Sequence, residues 1–245
     1  MNRRAWITTV GGWLSASIAL AQDAPAPEAP APAPATPAPA NIIPSGFRGF
    51  VVIDNRYLGK DDPVTNRNRK GKLHCPVCEF GLNPSVLVIA RKLPTGADDP
   101  VTNLLIQLDR LGVQFKSSRF GVASIFLTLD KNIEDDDYRD LKIAEAEKSL
   151  TDAKLQASQV LISESTIEAQ GAPQVAPSVK AFQIDDADGV TVIFYNRLKV
   201  INRWTFANST EVTSEKVQTI TDAVKTLLTP KSRPRPTLIL TQPNG

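Results

Sequence analysis

Two unbroken apolar runs, Ser85–Ala90 and Phe120–Leu129, limit what this chain can fold into more than any other feature. Both are rich in β-branched and aliphatic residues and lack polar alternation. That pattern suits strands covered on both faces, the usual situation in parallel sheets. Between them Val101, Leu104, Leu105, Leu108, Leu111 and Phe115 recur at helical spacing. Asp98 or Asp99 supplies an N-cap, and Pro100 suits the first helical position. Strand, helix and strand of these lengths predict a right-handed βαβ unit with Ser85–Ala90 at the centre of the sheet.

The remaining periodicity extends this plan. Phe50–Ile53 predicts a short strand, followed by a polar loop from Asp54 to Lys72. Asp135-Asp136-Asp137 opens a helix running to about Leu150, with Tyr138, Leu141 and Ala144 expected inward. Carboxylates there complement the helix dipole, so the acidic run needs no cation to explain it. Val160–Ile162 predicts a third strand. Val190–Tyr195 and Val200–Phe206 flank Asn196–Lys199 as a hairpin. A last helix begins near Thr213 or Ser214 and points Val217, Ile220, Val224 and Leu227 inward.

The ends read differently. Arg3 and Arg4, the apolar stretch Ala5–Leu20 and the small-residue site Ala19-Leu20-Ala21 predict a signal peptide over residues 1–21. Asn2–Ile7 faintly suggests a twin-arginine signal, and an ordinary export signal fits as well. An Ala/Pro-rich spacer follows over 22–45, then a folded domain over 46–229 and a basic, proline-rich tail over 230–245. The expected location is therefore outside the cytoplasm, periplasmic or secreted, with no membrane span in the mature chain. The 28 Lys and Arg against 26 Asp and Glu give no electrostatic case for nucleic acid.

The chain has only two cysteines, Cys75 and Cys78 in the run Leu73-His74-Cys75-Pro76-Val77-Cys78. A bridge closing so short a loop contributes roughly 2 kcal/mol by loop entropy, against about 4–5 for a hundred-residue loop. A weak staple leaves redox exchange or metal ligation open beside a structural bridge. With a single histidine, these residues alone cannot complete a tetrahedral zinc site. His74 precedes the pair, so the Cys-x-x-Cys-His of haem attachment is absent, and it stands ready to modulate a Cys75 thiolate. Asp185-Asp186-Ala187-Asp188-Gly189 hints at a calcium loop but has Ile184 and Tyr195 at the first and twelfth ligand positions. A polar turn explains it.

The order β-α-β-α-β-β-β-α over about residues 85–228, together with the Cys-x-x-Cys, resembles the thioredoxin-like superfamily. The stretch His74–Pro84, running straight into a strand, is similar to an uncharacterised group of exported thioredoxin-like proteins. The resemblance implies an α/β three-layer sandwich, a mixed central sheet flanked by helices. It also implies thiol–disulfide exchange, with Cys75 as nucleophile, Cys78 as resolving thiol and His74 as modulator. No cofactor is implied; the partners are protein thiols or disulfides, or an envelope protein bound by a non-catalytic module with a structural disulfide. The motif departs from the family in falling before the first core strand, and no proline precedes the hairpin at Asp188–Thr191. In a rival register Cys75 opens a helix through residues 76–93, with Phe50–Ile53 as the first strand. A peroxiredoxin site would need a cysteine in the loop Arg91–Asp99, which has none.

Overall fold

The structure, a computed structural model, describes residues 41–57, 69–130, 135–169 and 171–229. The expected signal segment, the spacer up to residue 40 and the tail lie outside the described residues. The elements run β1 (Gly49–Asp54), β2 (Leu73–His74), α1 (Pro76–Phe80), β3 (Ser85–Ala90), α2 (Pro100–Gln114), β4 (Gly121–Leu129) and α3 (Asp136–Leu150). They continue with β5 (Ser158–Glu164), β6 (Thr166–Ala169), β7 (Ala172–Val175), α4 (Pro177–Ala181), β8 (Val190–Asn196), β9 (Lys199–Phe206) and α5 (Ser214–Leu228).

Seven strands form one mixed sheet in the order β2-β1-β5-β4-β3-β8-β9, while β6 and β7 make a separate hairpin. β3 lies parallel to β4 and antiparallel to β8, with Ser85 opposite both Gly121 and Tyr195 and Ala90 opposite both Phe126 and Val190. All six residues of β3 are buried, as the unalternating run requires. The order β9-β8-β3-β4, with α2 crossing over and α5 following the hairpin, is the thioredoxin-like arrangement. β5, β1 and β2 extend the sheet beyond it, so the fold is an α/β sandwich of that class.

Alternate residues of the strands feed two cores. Val86 and Val88 face α2, α3 and α5, whereas Leu87 and Ile89 face α1, α4 and the entering chain around Phe47. Asp99 caps α2, its carboxylate accepting from the Val101 amide at 2.9 Å and from Thr95. The second layer begins within the stretch expected as spacer: Ile42 bridges to Lys199, and the Ile43 amide donates to the Leu198 carbonyl at 2.8 Å. The β8–β9 turn is closed by Arg197 and Leu198, both with positive φ, in the pattern of a tight hairpin. At the other end of β8, Arg91 donates to the carbonyls of Asp185 and Asp188, which accounts for the acidic Asp185–Gly189 stretch as a clamped turn.

Two inward faces differ from the periodicity. In α3 the buried residues are Ile143, Ala146 and Leu150, while Leu141 is 58% exposed. The inward stripe continues one turn back through Arg139, whose guanidinium sits 4.7 Å from the Phe50 ring. An arginine at an inward position hides the stripe from a hydrophobic reading. In α5 it is Leu228, not Leu227, that is buried.

Tyr195 is wholly buried, and burial pushes its pKa up to about 12, so it stays neutral at working pH. Its hydroxyl lies beside Ser85, which slightly offsets the burial, yet it makes no well-formed hydrogen bond. A buried, unpaired hydroxyl costs about 1–3 kcal/mol. Tyr195→Phe is therefore expected to hold or raise the urea midpoint. A loss above about 1 kcal/mol would show that the Ser85 bond forms in solution.

Candidate functional site

Cys75 and Cys78 are joined as a disulfide at the start of α1. The local sequence dictates this. Cys75 is extended and acts as N-cap, Pro76 suits the first helical position, and Gly81 ends the helix with φ of 55°. The Cys75 Sγ accepts the Cys78 amide hydrogen at 3.1 Å, as a capping oxygen would. Cys75 is half-buried against the Leu87 core, whereas Cys78 is exposed. Gly46 passes so close that a Cβ there would stand 3.0 Å from each sulfur.

One residue beyond Cys78, Glu79 is the centre of a polar cluster. Its carboxylate is 2.6 Å from His74 Nε2 and 3.0 Å from Arg69, and it accepts from Gln159 Nε2 at 2.6 Å. Arg56 forks between Asp54, at 2.8 and 2.9 Å, and Glu79, at 3.1 Å. Burial opposes the Arg56 charge, but bonding to Asp54 and Glu79 outweighs it and raises its pKa. The helix is also wedged from below, because Phe80 lies flat on Gly121, where a Cβ would come within 2.6 Å of the ring.

His74, expected to modulate Cys75, turns its ring to Glu79 and Arg69. His74, Cys75 and Cys78 stand together on β2 and the start of α1, whereas Glu79, Asp54, Arg56, Arg69 and Gln159 were not anticipated. Only Glu79 carried a local signal, its position next to Cys78; the others converge through β1, the segment before β2 and β5. Among the described residues no group of three His, Cys, Asp or Glu is placed to hold a metal.

The pair sits away from the place where thioredoxin-like oxidoreductases carry theirs. That place, after the first core strand and at the head of its helix, is here occupied by Asp98–Val101 with no cysteine. The pair follows edge strand β2 and lies on the opposite sheet face from α2. Four strands separate β2 from β8, where Val190 begins the hairpin. Of the two registers, the one that makes Ser85–Ala90 a strand holds. The rival holds only for five residues, because Gly81 and Asn83-Pro84 end the helix that Cys75 opens.

No protein-family model and no curated protein matches the chain. Among solved structures it is similar to a Chlorobium tepidum protein assigned as the thiol:disulfide interchange protein DsbE, at 10% identity and a TM-score of 0.48, covering 77% of this chain and 97% of that one. It is similar also to Mycobacterium tuberculosis AhpC, at 10% identity and 0.48, covering 76% and 95%. A third is an uncharacterised conserved protein from Geobacillus kaustophilus, at 16% and 0.43, covering 76% and 82%. These scores add no weight to the fold, which rests on strand order, and they carry no chemistry to this chain.

Replacing Glu79 by Ala leaves Arg56 and Arg69 to Asp54, takes the acceptor from His74 and Gln159, and removes the ties between α1, β1 and β5. With the carboxylate only 19% exposed, the expected loss is about 2 kcal/mol, read from denaturant midpoints. A change below about 0.5 kcal/mol would mean the cluster is solvent-screened and structurally idle.

Proposed function

We propose that the chain is an exported thiol–disulfide exchange protein that acts through Cys75 and Cys78 on protein thiols or disulfides. The observation that supports this is the asymmetry of the bridge: the Cys78 residue is exposed, while Cys75 is half-buried as a residue and its sulfur takes a backbone N–H. A substrate thiolate attacks Cys78 Sγ, forming a mixed disulfide and expelling Cys75 as a thiolate held by the Cys78 amide. A second substrate thiolate then attacks the substrate sulfur of that mixed disulfide. The substrate leaves oxidised, with its own disulfide, and the pair is left as the two-electron-reduced dithiol. In the reverse direction Cys78 attacks a substrate disulfide and Cys75 resolves it. This order inverts the one expected from sequence, because access falls on the second cysteine.

The second reading is a non-catalytic thioredoxin-like module that binds an envelope partner and keeps a structural disulfide. The placement of the pair beside β2, far along the sheet from β8 and across it from α2, favours this alternative.

Reduced single-cysteine variants separate the two. With an aromatic disulfide reagent, Cys75→Ser protein is expected to form its mixed disulfide through Cys78 about tenfold faster than Cys78→Ser protein does through Cys75. Neither variant should sustain turnover of insulin reduction. Equal, slow labelling of both thiols, with partner binding kept in the double Ser variant, would establish the binding module instead. Export has its own test: N-terminal sequencing of protein from the extracytoplasmic fraction should begin at Gln22, after Ala21.

A further inference from the structure

A cleft of about 820 Å³ opens where Arg56, Glu79 and Phe80 meet the C-terminal end of α2 and the loop before β5. That volume lies within the range of roughly 300–1,000 Å³ typical of small-molecule sites. Phe80 contributes to an apolar floor, and Val113, 49% exposed, stands as an apolar rim. One wall is fixed in place by buried Asp109 of α2, whose carboxylate accepts the amide hydrogens of Gln156, Ala157 and Ser158 at 2.8–3.1 Å.

Four cations line this cleft: Arg56, Lys116, Arg119 and Lys154. Arg56 is engaged by Asp54 and Glu79. Among the described residues Lys116, Arg119 and Lys154 take part in no ion pair. The helix dipole at the end of α2 accounts for a cation such as Lys116. It does not account for the backbone of the other two. Arg119 and Lys154 close separate short turns in the left-handed conformation, with φ of 52° and 47°. Glycine would adopt it without steric cost, yet a long cation stands at each position and both face one cleft.

We propose that this cleft binds an amphipathic anion, with an apolar body over Phe80 and Val113 and a carboxylate or phosphate head held by Lys116, Arg119 and Lys154. Unpaired positive charge above an apolar floor favours that occupant over an uncharged lipid or a purely acidic ligand. The site is distinct from the sulfur chemistry and does not require it.

Isothermal titration of the oxidised protein tests this with dodecanoate and dodecyl phosphate, which separate the two head groups. Acetate and inorganic phosphate serve as chainless controls, dodecyl maltoside as the uncharged one and hexaglutamate as an acidic peptide. At least one alkyl anion is expected to bind saturably at one site, more than about tenfold tighter than every control. Arg119→Gly/Lys154→Gly relieves the left-handed backbone, so its melting temperature should hold or rise while affinity falls roughly five- to tenfold. Arg197→Gly makes the same exchange at a left-handed position outside the cleft and should leave affinity unchanged. A charge-neutral triple variant, Lys116→Gln/Arg119→Gln/Lys154→Gln, gives the same reading should the glycine variant misfold. The proposal is overturned by undetectable binding of both alkyl anions at about 1 mM. It is equally overturned by dodecyl maltoside or hexaglutamate binding as tightly, by unimpaired binding in the cleft variants, or by an equal loss in Arg197→Gly.

Discussion

The burial of β3 on both faces and both edges is the constraint on which the rest of the molecule depends. A strand flanked by β4 and β8 has no free ladder and no solvent face, so its register fixes both neighbours at once. Val86 and Val88 then commit the three long helices to one side, and Leu87 and Ile89 commit the entering chain, α1 and α4 to the other. The second side is thinner. It is built from short helices and an extended segment, and this leaves room for side chains of β1, α1 and β5 to gather as a polar cluster beneath the disulfide.

Placing that cluster against the sulfurs explains why the site is only partly thioredoxin-like. The strand order supplies the scaffold, but the head of α2 is capped by Asp99 and tied to Thr95, leaving no thiol where an oxidoreductase would place one. The two sulfurs instead ride on a five-residue helix inserted ahead of β3. Their environment is set by the Cys78 amide within the motif and by Gly46 of the entering chain, while the adjacent histidine bonds Glu79.

Much of the architecture could be read from residues alone, because long apolar runs and strong caps leave few alternatives. β3, α2, β4 and the β8–β9 hairpin all followed from period and punctuation, and the structure chose Asp99 over Asp98 as the cap of α2. The inward face of α3 did not, since Arg139 occupies a core-facing position by stacking on Phe50, a contact that no local pattern encodes. The short elements β2, β6, β7 and α4 lack the length for a periodic signal and exist through pairing and packing. In the site, adjacency made the cysteines and His74 visible. The partners of Glu79 come from positions up to 80 residues away, and only the folded sheet assembles them.

Phe80 wedged on Gly121 and Glu79 bound by arginines mean that the C-terminal half of α1 has its own anchorage, separate from the sulfur bridge. Cleaving the bridge therefore frees a single turn, from Cys75 to Cys78, while the sheet beneath keeps every strand partner. On the proposed reading of the pair, opening the bridge asks nothing of the sheet, so the scaffold would be common to both oxidation states.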